Sequence, residues 1–175
     1  MELILVARLV AAACLLCGSI IWGMSWTFVL ERRPRELREM RTALQMLETE
    51  ISYAATPLPD AFRLIRDRFQ GNLRDFFDQL VRELGSKHTA GHAWQSSVDT
   101  LYGKMAWTQE DRSILLALAP TLGQSDRQDQ LKHLRLCQER LAMAEQHAHE
   151  LARKHARLYR SMGVLVGLLL VLLTW

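Results

Sequence analysis

SDRQDQLKHLRLCQERLAMAEQHAHELARKHARLYRSM, residues 125–162, decides the fold. A seam runs through it at Leu134, Cys137, Leu141, Ala144, Ala148, Leu151, His155, Leu158 and Met162, in alternating steps of three and four. Such steps keep a residue set on one face of an α-helix. No proline or glycine interrupts the stretch before Gly163, so Ser125 to Arg160 reads as one helix of about 54 Å. A second seam follows Pro34 at Leu37, Met40, Leu44, Leu47, Ile51 and Ala54, again in steps of three and four. The two helices are expected to pair antiparallel, with Ala144 and Ala148 allowing close approach. The same heptads could instead serve self-association of two copies.

Between these helices the pattern stays helical. There is no alternating β-branched run and no Asn-Gly or Asp-Gly hairpin signal. Thr56-Pro57-Leu58-Pro59 ends the first long helix, and Thr56 reads as the cap of the next, with Pro57 at its first position. That helix carries Ala61, Phe62, Ile65 and Phe69 on one face, and Gly71-Asn72 breaks it. Leu73, Phe76, Phe77, Leu80, Val81 and Leu84 form a third stripe, closed by Gly85. Residues 86–91 read as a loop, followed by a short helix with Trp94, Val98 and Leu101. Thr108-Gln109-Glu110-Asp111 has capping-box form before Ile114, Leu115 and Leu118. Pro120 to Gly123 is the next break, and Ser125 and Gln128 read as caps of the last helix.

Outward from this middle lie two apolar ends. Leu9 to Leu30 holds 22 residues without a charge, about 33 Å as a helix, which matches a hydrocarbon core of roughly 30 Å. A cleaved signal would carry its positive charge before the apolar run. Here only Arg8 precedes it, while Arg32, Arg33, Arg35, Arg38 and Arg41 follow. A lipoprotein signal at Ala11-Ala12-Ala13-Cys14 fits poorly because apolar sequence continues well past the cysteine. The run therefore reads as a retained span, with the helix continuing through a kink at Pro34. Ser161 to Trp175 is shorter, about 22 Å. With Leu158, Tyr159 and a snorkelling Arg160 it nears the lower limit of a span. A tail dipping into one leaflet, or buried in a partner, is the other reading. Gly163 and Gly167 form a small-xxx-small pair that can admit a close helix contact in the membrane. Arg153, Lys154, Arg157 and Arg160 precede this segment, so the positive-inside rule puts the middle in the cytoplasm and both termini outside.

Chemistry-bearing patterns are sparse. All but Arg8 of the 22 Lys and Arg, and all but Glu2 of the 19 Asp and Glu, lie in 31–160, a mixed and mildly basic segment. Cys14 and Cys17 lie in the apolar run and Cys137 in a helical pattern; three cysteines so placed give no secreted disulfide framework and no zinc signature, which fits a reducing compartment. His88 and His92 are four apart, but Gly91 intervenes in an expected loop. His147 and His149 are two apart and face different ways on a helix. No Glu-x-x-His pair occurs, and His155 sits on the seam. No metal or other cofactor is expected. A Gly-rich phosphate loop is missing, and Glu48 and Glu50 have no nucleophile beside them. Arg63, Arg66, Arg68 and Arg74 cluster near Phe69 and Phe76. The near-balanced charge favours pairing with acidic lipid or a partner over nucleic acid.

The residues Glu31-Arg32-Arg33-Pro34-Arg35-Glu36-Leu37-Arg38, then Ala43 to Tyr53, then Thr56-Pro57-Leu58, resemble the opening of the stage III sporulation protein AB family. The similarity continues through Ala93-Trp94, Leu122-Gly123, Asp126-Arg127, Gln130, His133 and the closing Ser161-Met162-Gly163 with its leucine-rich tail. Arg33 departs from the pattern as an extra residue between Arg32 and Pro34, which puts the junction at the start of the helix in question. The resemblance implies a role in endospore formation, in the mother-cell membrane facing the forespore. It implies membership of the multi-protein channel complex joining the two cells. It also implies a cytoplasmic domain similar to the type II secretion inner-membrane platform protein, docking to the complex's secretion-type ATPase.

The combined expectation is all-α: a bundle of about six helices, the long first and last antiparallel, flanked by transmembrane helices. The boundaries are 1–30, 31–160 and 161–175. The expected function is a non-enzymatic membrane scaffold coupling the ATPase to other membrane proteins of the complex, with no nucleic acid and no small-molecule substrate. A partner surface is expected on the charged face of the first helix, with Arg35, Arg38, Glu48 and Glu50. The alternatives are a dimerising membrane sensor or a histidine-based metal protein.

Overall fold

A computed structural model describes the backbone of residues 31–54, 56–86, 88–123 and 125–174, and side chains as far as Lys154. The expected span within 1–30 lies outside the described residues. The chain divides into two units, one formed by Arg33–His147 and one by Met1–Arg32 with Ala148–Trp175.

Among the described residues there are six α-helices and no strand. Helix α1 covers residues 31–49 and opens into a π-helical turn, Glu50–Ala54. It passes through Pro34 without ending. Then come α2 (Leu58–Arg68), α3 (Gly71–Gly85), α4 (Ala90–Tyr102), α5 (Gln109–Leu116) and α6 (Arg127–Thr174). The last is one helix of 48 residues, unbroken at the expected 160/161 boundary. Among the described residues no helix is long and apolar enough to cross a membrane.

The core of the Arg33–His147 unit is aromatic where α3 packs against α2 and α4. Phe76 lies edge-on to Phe77, Trp94 and Trp107 at 5.2, 5.1 and 6.1 Å between ring centres. Phe62 of α2 joins Phe77 at 6.3 Å. The edge-to-face pairs of Phe76 set ring hydrogens against π-faces, a favoured arrangement, while the Phe62–Phe77 pair is tilted at 35°. The indole Nε1 of Trp94 donates to the Leu115 carbonyl at 2.8 Å, tying α4 to the end of α5. The capping box forms as the sequence predicts: Thr108 Oγ1 accepts from the Asp111 amide, and the Asp111 carboxylate accepts from the Thr108 amide.

Both seams are largely realised. Leu37, Met40, Leu44 and Leu47 are fully buried and Ile51 nearly so, but Ala54 is exposed because the π turn rotates it away. On α6, Leu134, Cys137 and Leu141 are buried, Ala144 is half-buried, and Leu151 is exposed. Glu145, Ala148 and Ala152 are buried instead. The buried set 134, 137, 141, 145, 148, 152 advances 18 residues in five steps, the 3.6 period of a straight helix rather than a heptad repeat.

Four local expectations are corrected. Pro57, not Thr56, is the N-cap of α2. Thr56 instead donates from Oγ1 to the Glu50 carboxylate at 2.7 Å. Phe69 leaves the helix in extended conformation and is half-buried. Residues 86–91 are not all loop, because Thr89 caps α4 and Gly91 lies within it. A Cβ at Gly91 would sit 2.3 Å from the Ala119 carbonyl oxygen, so glycine is kept there for close approach. Finally Asp126, not Ser125 or Gln128, caps α6, accepting from the Asp129 amide at 2.7 Å. Ser125 donates to the Thr121 carbonyl.

Candidate functional site

The charged residues of α1 form two groups, one that fastens the helix and one that faces outward. Arg38 Nε reaches Glu145 Oε1 at 2.7 Å, and Arg41 Nη2 reaches Glu145 Oε2 at 3.1 Å. Ten residues further along α1, Glu48 accepts from Arg135 Nε at 2.6 Å and from Gln138 Nε2 at 3.0 Å. In the middle of the π turn, the Ser52 carbonyl accepts from Arg127. Partners on α6 step backward as α1 steps forward, so the two helices are antiparallel within this unit. Moving from Glu48 to Arg38 and from Arg135 to Glu145 covers the same number of residues, which keeps the register constant.

Glu145 is 6 % exposed and bridges two arginines. A buried carboxylate needs such partners, since isolation from water disfavours its charge. Arg135 is exposed, and the hydrogen bond to Glu48 raises its pKa further above the ordinary guanidinium value.

Sequence reasoning placed Arg35, Arg38, Glu48 and Glu50 on one charged surface. The structure separates them. Arg35 is the outward member, its side chain 80 % exposed and paired, among the described residues, along its own helix with Glu39 at 2.9 Å. That hydrogen bond raises the Arg35 pKa. Arg38 is partly outward while holding Glu145. Glu48 and Glu50 are half-buried and engaged internally, Glu48 with α6 and Glu50 with Thr56. Gly163 and Gly167 lie one turn apart on the helical backbone of α6, beyond the described side chains.

A second fastening lies at the start of α1, away from the residues that the helix seams single out. Arg33 places Nε and Nη2 on the two carboxylate oxygens of Asp111 at 2.9 and 3.0 Å. Glu36 accepts from the Ala106 amide at 2.6 Å and from Asn72 at 3.5 Å. The α4–α5 loop is thereby clamped to α1. Arg33 is the arginine that makes this fork, and α1 is regular around it. The available hint was the capping box itself, since a cap carboxylate keeps lone pairs for another donor.

The Arg63, Arg66, Arg68 and Arg74 cluster is partly neutralised by acids. Arg63 pairs with Asp60 at 2.8 Å, and Arg66 with Asp67 at 2.9 Å and Asp78 at 3.6 Å. The Arg66 hydrogen bond holds the Asp67 carboxyl below its usual range. Phe76, close to this cluster in sequence, is fully buried in the core.

Comparison with known proteins bears on the whole chain. The family model for Stage III sporulation protein AB matches residues 8–175. Stage III sporulation protein AB of Bacillus subtilis (strain 168) is 30 % identical over 167 residues, covering 95 % of this chain and 98 % of that protein. A solved structure of Stage III sporulation protein AB matches with a TM-score of 0.66 at 30 % identity, covering 70 % of this chain and 97 % of that one. The match in sequence and the match in helical architecture agree, and the chain belongs to the stage III sporulation protein AB family, a family of sporulation proteins.

Proposed function

We propose that this protein is a non-enzymatic, membrane-held adaptor of the mother cell–forespore channel complex, coupling a cytoplasmic secretion-type ATPase to the complex's membrane proteins. The observation that carries the reading is the antiparallel weld between α1 and α6. Because Arg38 meets Glu145, the chain enters and leaves the Arg33–His147 unit at the same end of the helix pair. Two anchors in one membrane require such a shared end. A charge-locked helix pair also suits a coupling element, since several ion pairs must break before the helices slide. The names of the family and of the curated relative carry no enzymatic activity.

In this reading the body lies in the cytoplasm of the mother cell, against the membrane that surrounds the forespore. Residues 1–30 and the C-terminal segment from 161 are the anchors, with Gly163 and Gly167 at a helix contact in the membrane. The partner surface is the outward face of α1 around Arg35 and Arg38, with Glu48 presenting that face by tying α1 to α6 and Glu50 securing the turn that follows α1. A dimerising sensor is less well supported. The α1 stripe that would form a coiled coil between copies is already buried within one chain.

The test is capture of the ATPase on the immobilised full-length protein in detergent. Arg35→Glu should weaken retention at least about tenfold, the scale of losing one well-placed charge contact at an interface. Equal retention by a folded Arg35→Glu/Arg38→Glu variant would remove the ATPase from this face.

A further inference from the structure

The three groups Glu83, His88 and His92 meet where α3 hands over to α4. One ligand-type atom from each lies within 4.8 Å of the others. His88 Nδ1 is 3.0 Å from Glu83 Oε2, and the two imidazole centres are 4.6 Å apart. The spacing of four between the histidines did not suggest this, because Gly91 read as a break. Thr89 instead starts α4 there, so His92 sits on its first turn and His88 just before it.

We propose that Glu83, His88 and His92 form a surface site for one borderline divalent transition metal, Zn²⁺ being the best match, with solvent completing the shell. Two imidazoles and a carboxylate are a donor set that zinc takes in open sites. Bond lengths of roughly 2.0–2.2 Å in a tetrahedron put ligand atoms about 3.3 Å apart. The Glu83–His88 pair is already near that separation, and the widest gap closes by about 1.5 Å, a displacement that rotation of two exposed rings supplies.

The carboxylate is held in place independently of the histidines. Glu83 Oε1 accepts from Gln79 Nε2 at 2.8 Å and from Ser96 Oγ at 3.3 Å, which leaves Oε2 for His88. Outer partners of this kind orient metal ligands. Glu83 also lies in the last turn of α3, whose carbonyl end favours a cation. Without metal, the same contact is a hydrogen bond between His88 and Glu83. With metal, the ion replaces that shared proton, so binding ties the end of α3 to the start of α4 across the short connection between them.

The experiment is isothermal titration of zinc chloride into the tag-free full chain in detergent. A Cys14→Ser/Cys17→Ser background is used in every arm, so that thiols of the apolar run do not compete. One saturable zinc per chain is expected. His88→Ala/His92→Ala should remove it, and Glu83→Gln should weaken it more than about tenfold, the least that loss of an outer-shell partner costs. Both histidines are exposed, so these variants keep the fold, and circular dichroism confirms it. No saturable zinc in the parent, equal binding by the double-histidine variant, or unchanged affinity in Glu83→Gln would each overturn the assignment.

Discussion

Arg33 grips Asp111 with two parallel hydrogen bonds of 2.9 and 3.0 Å, and the Asp111 side chain has no exposure to solvent. Asp111 also closes the capping box of α5, so one carboxylate serves a helix start and a contact 78 residues distant. Breaking a buried pair from one side leaves an uncompensated charge, which costs far more than the pair contributes net. Arg33→Met should therefore lower unfolding free energy by about 3 kcal/mol in urea titrations of the full chain. Arg35→Met, at an exposed position two residues on, should leave the midpoint unchanged.

At Gly91 two effects oppose each other. Alanine is favoured over glycine by about 1 kcal/mol in a helix interior, which is an upper bound for Gly91 in the first turn of α4. The added Cβ, however, would lie 2.3 Å from a backbone oxygen, which cannot swing aside as a side chain can. Overpacking of this kind costs about 1–3 kcal/mol, so the clash wins. Gly91→Ala should lower the thermal midpoint, while Gly85→Ala, with open space around it, should not.

The pairing of Glu48 with Arg135 fixes the register of α1 against α6. Glu48→Arg alone should destabilise the protein by placing like charges together at that contact. Exchanging the charges, Glu48→Arg with Arg135→Glu, should restore most of the loss in the same urea titration. A double variant no better than Glu48→Arg would mean that the helices are not locked here.

Burial pushes the Cys137 thiol up from an ordinary 9.0 to about 12. The folded state thus favours the neutral thiol. Its contribution to stability is full below pH 9 and is lost as pH rises from there toward 12. In the Cys14→Ser/Cys17→Ser background the native protein should resist a thiol-specific reagent at pH 8, and react once unfolded. Rapid native labelling would show that Cys137 is open to solvent.

Much of this architecture is visible in the residue pattern, because the signals that decide it are local. Apolar stripes such as Leu37–Met40–Leu44–Leu47 follow from helix period alone, and the Thr108–Asp111 box follows from side-chain reach over three residues. The misreadings have local causes too. Residue type alone makes Gly91 a break and Thr56 a cap, whereas a close approach to Ala119 and a bond to Glu50 settle their places. A heptad rhythm puts Leu151 on the seam, while a straight helix turns at 3.6 and brings Ala152 inward. The candidate site was the least legible part. Glu48 and Glu50 look free on a helical wheel, and their partners become apparent only when residue 135 or 56 is set beside them. Likewise, nothing in sequence joins Glu83 to His92 across a turn.

An adaptor for a cytoplasmic ATPase must hold its Arg33–His147 body on the cytoplasmic side of the membrane. Arg35→Cys in a Cys14→Ser/Cys17→Ser background supplies an exposed thiol on α1 for a membrane-impermeant maleimide. Inside-out vesicles from sporulating cells should label strongly at that position, and right-side-out vesicles only after permeabilisation. Strong labelling of intact right-side-out vesicles would place the helical body on the far side, out of reach of any cytoplasmic ATPase, and would contradict the adaptor reading.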